Sequence, residues 1–246
     1  MEDKKENIIE IFSSIQGEGK YVGCRQVFLR LEGCNLACRY CDTENQSGNH
    51  PFCQVENSAG SRAFTEWKNP MSSEDVCRIL GKMLREIPHQ AVSFTGGEPL
   101  LHSAFLHSVA KNLKTKVFLE TNGTLWEALE KVIEDIDIIS MDIKFPSAVG
   151  KDLWESHGRF LEIACKKDLY VKLVISAETE EEEFRQAIRL VKEIAPETLL
   201  IIQPVTPWGG CQAASPKKIL DFHAYALEQL REVRVIPQTH KMIGQR

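Results

Sequence analysis

Along most of the chain, apolar residues follow two alternating rhythms. Short apolar runs recur at Ile8–Phe12, Val27–Leu31, Ala91–Thr95, Lys116–Glu120, Asp137–Asp142, Tyr170–Ile175 and Leu199–Gln203, with a last short one at Val233–Ile236. Between them lie longer stretches in which apolar residues return every three or four positions. The short runs read as strands, and the longer stretches as helices burying one face. Ser72-x-x-Asp75 has the form of a capping box and opens a helix running to about Arg85. Further helices are expected from Leu101 to Leu113, after a Thr124-x-x-Glu127 cap, from Lys151 to Cys165, from Glu180 to Ile194 with Thr179 as cap, and from Ser215-Pro216 to about Arg231.

Strands separated by helices imply βαβ units on a parallel sheet. About six such units fit between residues 27 and 231. That is too few for an eight-fold barrel, and no dinucleotide fingerprint follows the first strand. The expected fold is α/β: a partial, open (β/α)6 TIM-like barrel. No linker or composition shift divides the chain, so residues 1–246 are expected to form one domain. Residues 44–70 lack periodicity and read as a long loop that lids what precedes it; residues 232–246 read as a C-terminal tail.

Composition narrows the function classes. The chain of 246 residues is 43% hydrophobic and 26% charged, with a formal net charge of -5, which describes an ordinary globular protein. There is no basic patch with interleaved aromatics, so no nucleic-acid partner is expected. No apolar run reaches the roughly 20 residues of a membrane helix, and the charged start Met1–Glu6 lacks a signal peptide's apolar core. A reducing, cytoplasmic setting is expected, where clustered cysteines read as metal ligands rather than disulfides.

Of eight cysteines, three cluster as Cys34-x3-Cys38-x2-Cys41 just after the Val27–Leu31 run. Three thiolates can hold three irons of a [4Fe–4S] cluster and leave the fourth iron open for chemistry. The alternatives are a zinc knuckle, which needs a fourth ligand, and ordinary cysteines. Cys24, Cys53, Cys77, Cys165 and Cys211 read as small buried or incidental residues, with Cys53 the one nearby candidate for a fourth ligand. Arg30 interrupts an apolar strand and needs an acidic partner, either Glu10, Glu32 or a bound carboxylate. Gln16-Gly17-Glu18-Gly19 is a turn whose polar groups can meet a ligand. Polar residues also gather where strands end: Thr95-Gly96-Gly97-Glu98-Pro99, Glu120-Thr121-Asn122, Ser140, Asp142, Lys144 and Gln203. In αβ barrels those ends carry the chemistry.

The cysteine spacing, with Tyr40 before the last cysteine, and Gly96-Gly97-Glu98-Pro99 resemble the radical S-adenosylmethionine (SAM) superfamily. Ile15-Gln16-Gly17-Glu18-Gly19, Arg30, Cys41-Asp42-Thr43 and the ending Gln238–Arg246 further resemble the 7-carboxy-7-deazaguanine synthase family within it. That resemblance implies a radical SAM carbon–nitrogen lyase of queuosine and 7-deazapurine biosynthesis. Such enzymes convert 6-carboxy-5,6,7,8-tetrahydropterin to 7-carboxy-7-deazaguanine with loss of ammonia, using a [4Fe–4S] cluster, SAM and Mg2+. It implies that Cys34, Cys38 and Cys41 hold the cluster and Thr43 the Mg2+. It places SAM against Arg39, Tyr40, Gly96, Gly97, Glu98, Ser140, Met141, Asp142, Lys144, Gln203, Pro204, Val205 and Thr206, with Glu98 or nearby carbonyls meeting its ammonium. The pterin falls against Ile15, Gln16, Gly17, Glu18, Arg30, Thr95, His240 and Arg246. A reductant such as flavodoxin or ferredoxin and a homodimer are implied too. Two rivals are a glycyl-radical-enzyme activase, against which the closing tail argues, and a non-enzymatic electron carrier, which needs a fourth cysteine such as Cys53.

Overall fold

The structure, a computed structural model, describes residues 4–41, 50–208 and 210–246. A ten-stranded sheet organises it. The strands are β1 (Ile8–Ile15), β2 (Arg25–Leu31), β3 (Phe52–Glu56), β4 (Phe64–Lys68), β5 (Ala91–Gly96), β6 (Lys116–Thr121), β7 (Ile138–Asp142), β8 (Asp168–Ile175), β9 (Leu199–Pro204) and β10 (Val233–Val235). Their spatial order is β10-β9-β8-β7-β6-β5-β2-β1-β3-β4. From β2 through β5 to β10 every neighbouring pair is parallel.

Helix α1 (Ser73–Glu86) follows β2 after the β3 and β4 strands, and α2 (Ser103–Ala110), α3 (Trp126–Val132), α4 (Trp154–Ala164), α5 (Glu181–Ile194) and α6 (Pro216–Gln229) follow β5, β6, β7, β8 and β9 in turn. These are the six expected βα units. β10 adds a seventh parallel strand, and the sheet stays open, as a partial barrel should.

Each helix is held by its apolar stripe. In α1, Val76, Ile79, Leu80 and Met83 are buried at helical spacing, each worth about 2 kcal/mol of transfer energy. Ser72 caps α1 by accepting from the Asp75 N–H at 3.1 Å, and Ser215 caps α6 by accepting from the Lys218 N–H at 3.2 Å. The other two expected caps are not used. Thr124 Oγ1 bonds Asn122 Oδ1 instead, at 2.6 Å. Thr179 Oγ1 accepts from the Ser176 N–H at 3.0 Å, and Glu180 begins α5 without a side-chain cap. In both cases the hydroxyl serves the strand-to-helix turn before the helix.

The aperiodic stretch 44–70 is not simply a loop. Its described part contains β3 and β4, an antiparallel hairpin that joins β1 through Glu10↔Gln54 and Ile11↔Val55. It extends the sheet at its edge. A buried carboxylate, Glu56, holds its turn by accepting from the N–H groups of Ser13, Gly60 and Arg62 at 2.9, 3.0 and 2.8 Å. Cys53 lies on β3, fully buried in the apolar core, which removes it as a cluster ligand.

The parallel strands alternate between two buried faces. Val27, Leu29 and Leu31, Val92 and Phe94, Val117 and Leu119, Ile139 and Met141, Val171 and Leu173, Leu200 and Ile202 join the main core that includes the helices' buried stripes. The intervening residues form the barrel interior. Its floor is apolar: Ala91, Phe118, Ile138, Tyr170, Leu199 and Ile201 cluster there with Tyr21 and Ile236. Nearer the C-terminal strand ends the same inner face turns polar, with Arg30, Thr95, Glu120, Ser140, Asp142, Lys172 and Gln203 lining one cavity.

Candidate active site

That cavity, of about 630 Å³, opens at the C-terminal strand ends. Backbone register sets its polar layer, because Arg30 lies beside Thr95, Glu120 beside Ser140, Asp142 beside Lys172, and Val174 beside Gln203 on adjacent strands. Cys34, Cys38 and Cys41 all line it from the loop that leaves β2. Neighbouring loops brace this loop. Glu98 N–H donates to Gly33 C=O at 2.8 Å, Asn122 Nδ2 to Asn35 Oδ1 at 2.8 Å, Asn35 Nδ2 to Thr124 Oγ1 at 2.9 Å, and Arg39 N–H to Ala148 C=O at 3.1 Å. Burial pushes the Cys38 thiol up to about 11 and raises Cys34 as well. A metal bound there would have to displace their protons.

Of the residues assigned to SAM, Tyr40, Gly96, Gly97, Ser140, Asp142, Lys144, Gln203, Val205 and Thr206 line the cavity. Lys144 bonds Asp142 Oδ2 at 2.7 Å and stands over the Tyr40 ring, 5.2 Å from its centroid. Asp142 Oδ1 and Gln203 Oε1 are buried with no hydrogen-bond partner among the described residues. Unsatisfied buried acceptors are costly. A ligand rich in hydroxyl and ammonium donors, as SAM is, suits them, and three thiols on one loop suit an iron–sulfur cluster. Among the described residues no three ligand side chains converge on a single ion, whereas a cluster spreads its irons over three separate thiolates.

Several assigned residues stand elsewhere. Met141 is fully buried in the main core on the face of β7 opposite Asp142, and Pro204 follows inward-facing Gln203. Arg39 is exposed. Glu98 is wholly buried, and its carboxylate accepts from Leu100 N–H at 3.0 Å, Thr121 Oγ1 at 2.9 Å and Asn122 N–H at 2.8 Å. Burial raises it to about 7 against those bonds. It ties two strand ends together, so an ammonium at this turn would have to meet backbone carbonyls. Thr43 lies outside the described residues.

Of the residues assigned to the pterin, Gln16, Glu18, Arg30, Thr95, His240 and Arg246 line the cavity, while Ile15 and Gly17 do not. Gly17 serves by its smallness: a Cβ there would sit 2.2 Å from the His240 ring. Its carbonyl accepts from Thr239 N–H at 2.9 Å, docking the tail on the β1–β2 turn. Arg30 finds Glu10, with Nε–Oε1 at 2.8 Å; Glu10 also takes Arg246 at 2.8 Å, and Glu32 pairs with His50. Gln16 Nε2 donates to Glu120 Oε1 at 2.8 Å and Gln26 Oε1 at 3.1 Å, and Thr95 Oγ1 donates to Glu120 Oε2 at 2.7 Å.

Sequence reasoning missed Lys172, Gln238 and His157. Lys172 ion-pairs with Glu18, and Gln238 Nε2 donates to Glu18 Oε1 at 2.8 Å. A lone charge in the apolar Tyr170–Ile175 run was the same signal that Arg30 gave.

His157, fully buried under the β7 end, accepts at Nε2 from Lys144 N–H at 3.1 Å and donates from Nδ1 to Gly123 C=O at 3.0 Å. These bonds require the neutral ring, and burial lowers it from 6.5 to about 4. Its contribution is therefore full above pH 6.5 and lost as pH falls toward 4, about 3 kcal/mol in all. Denaturant titrations should show His157→Gln most destabilised near pH 7, with the deficit narrowing as pH falls to 4; a deficit constant with pH would contradict this.

Residues 29–202 match the radical SAM superfamily. The chain is 43% identical over 241 residues to a 7-carboxy-7-deazaguanine synthase of Geobacter sulfurreducens, covering 96% of each. It is 38% identical over 250 residues to one of Methanocaldococcus jannaschii, covering 96% of this chain and 99% of that one. Among solved structures, QueE from Escherichia coli superposes with a TM-score of 0.64 at 19% identity, over 96% of this chain and 95% of that one. A radical SAM methyltransferase from Sphaerobacter thermophilus gives 0.61 at 12% identity, over 87% and 66%. These two likenesses speak to the fold alone. With its three cysteines and its glycine turn at the mouth of a partial barrel, the chain belongs to the radical SAM superfamily and, within it, to the 7-carboxy-7-deazaguanine synthase family.

Proposed function

We propose that this chain converts 6-carboxy-5,6,7,8-tetrahydropterin to 7-carboxy-7-deazaguanine, releasing ammonia. The observation that carries the reading is the single cavity in which the three cysteines, the Gly96-Gly97 turn and the polar set Gln16, Glu18 and Arg30 meet. Cys34, Cys38 and Cys41 would hold the cluster. Gly96, Gly97, Ser140, Asp142, Lys144 and Gln203 would hold SAM. When bound, these groups supply one-electron chemistry that takes a hydrogen atom from the substrate and returns it. The chain's own residues bind and orient. Gln16 presents amide donors and acceptors, and Glu18 an ionised acceptor, to the amine-bearing edge of a flat heterocycle. Arg30, steadied at Nε by Glu10, offers a planar fork that matches the substrate carboxylate. His240 and Arg246 close the cavity's tail side.

The reading extends to Mg2+ bound through Thr43 with substrate and water oxygens, since a hard cation needs few protein ligands. It extends also to a flavodoxin or ferredoxin reductant, a homodimer and a cytoplasmic setting. No helix among the described residues is long and apolar enough to cross a membrane.

The test is anaerobic reconstitution with dithionite, SAM, Mg2+ and the carboxytetrahydropterin, read by mass spectrometry. The deazaguanine product should form with little SAM consumed, and chelating Mg2+ should slow it at least tenfold. Cleavage of SAM to 5′-deoxyadenosine without that product would make the substrate wrong. Absence of both SAM binding and cleavage on a loaded cluster would end the enzyme reading.

A further inference from the structure

Lys172 is an ammonium inside a barrel. On β8 the inward positions are Tyr170 in the apolar floor, Lys172, and Val174 at the cavity, while Val171, Leu173 and Ile175 face the main core. Only 8% of Lys172 is exposed. An ammonium so placed costs several kcal/mol unless paired. Its pair is Glu18 on the β1–β2 turn, and Asp142 Oδ2 on β7 lies 3.8 Å from it. Asp142 is in turn held by Lys144 at 2.7 Å. A single fixed cation thus meets both a carboxylate assigned to the pterin and a carboxylate assigned to SAM.

We propose that Lys172 is a positioning residue for substrate recognition: its ammonium, anchored by Asp142, holds the Glu18 carboxylate ionised and in place at the cavity wall. This rests on the reading of Glu18 as a pterin contact. The groups facing Glu18 are Lys172 from β8 and Gln238 and His240 from the tail; those facing Lys172 are Glu18, Asp142, Glu120 and the Tyr170 phenol. Burial alone would raise Glu18, but the charge and hydrogen bond of Lys172 overcome it and hold the carboxyl at about 2. Opposing burial, the three carboxylates keep Lys172 above its ordinary value. Without Lys172, burial is opposed only by Gln238 and His240, and the Glu18 carboxyl shifts upward. Glu18 would then take up a proton at a higher pH, lose its charge and turn one oxygen into a donor, which weakens it as the acceptor of a ring N–H.

The experiment is anaerobic equilibrium dialysis of the carboxytetrahydropterin against cluster-loaded protein with SAM, from pH 5.5 to 8.5, for wild type and variants. Ratios of variant to wild-type Kd cancel the ligand's own titration. For Lys172→Met the ratio should grow by about tenfold per pH unit below the point of proton uptake. For Lys172→Arg, which keeps the charge, it should stay level with pH. Because Lys172 acts through Glu18, the double variant Glu18→Gln/Lys172→Met should bind no worse than Glu18→Gln alone. This comparison serves even if Lys172→Met does not fold. A ratio for Lys172→Met that is the same at every pH, or a double variant tenfold weaker than Glu18→Gln, would overturn the inference while leaving the substrate reading intact. Wild-type protein that binds SAM but not the pterin would overturn the substrate reading, and the inference with it.

Discussion

Cys38→Ala should abolish turnover. The reconstituted variant should carry far less iron per chain than wild type, lose SAM binding, and make product at background level. Each cysteine of the loop is expected to hold a different iron, so two thiolates cannot retain the cluster in reactive form. The described surroundings offer no substitute. Cys53 is sealed in the apolar core on β3, and no other cysteine among the described residues lines the cavity. Cys53→Ala is the matched control. It deletes one buried sulfur, costing about 1–2 kcal/mol of stability, and should leave iron content and activity near wild type. Measuring iron, SAM binding and product for both separates a cluster ligand from a core residue. Full iron and activity in Cys38→Ala would show that Cys38 does not hold the cluster. Loss of iron in Cys53→Ala would revive the four-cysteine electron carrier.

The barrel was legible because its strands are buried on both faces, which leaves short unbroken apolar runs, while its helices bury one stripe. The site was legible where polar residues broke those runs near their ends, as at Arg30, Asp142 and Gln203. The same rule also held information that was not used. If Ser140 and Asp142 face the cavity, a period of two puts Met141 on the opposite face, and it places Pro204 opposite Gln203 in the same way. Lys172 broke the β8 run as plainly as Arg30 broke β2. Other features had no local signal. The hairpin of β3 and β4 depends on β1 for pairing and on Glu56 for its turn, both set by distant contacts. Thr124 and Thr179 have cap-like spacing, but tertiary partners claim their hydroxyls. Glu98 sits in a motif associated with ligand binding, yet its carboxylate ties strand ends together, which only the buried N–H groups around it reveal.

Gly97→Ala tests how tightly the Gly96-Gly97 turn and the cysteine loop are built against each other. A Cβ on Gly97 would lie 1.9 Å from the Gly33 carbonyl oxygen, 2.4 Å from its carbon and 3.0 Å from the Cys34 nitrogen. All three are backbone atoms, so no side chain can rotate away, and relief requires moving the segment that carries Cys34. The neighbouring Gly96 is equally confined, at φ +117° with a Cβ 2.1 Å from the Leu31 carbonyl oxygen. The two glycines set the distance between the turn and Cys34, and the Glu98 N–H to Gly33 C=O bond of 2.8 Å locks it. The variant should lose about 3 kcal/mol of stability, bind SAM at least tenfold more weakly, and take up the cluster incompletely. Gly81→Ala provides the opposite sign within the same protein. Gly81 lies inside α1, where a Cβ would meet only the far end of Arg85 at 3.4 Å, and alanine should stabilise the helix by about 0.5–1 kcal/mol. Denaturant titrations of both, with SAM binding measured on the loaded proteins, decide the matter. If Gly97→Ala binds SAM as wild type does, close approach of the two loops is not what builds the site.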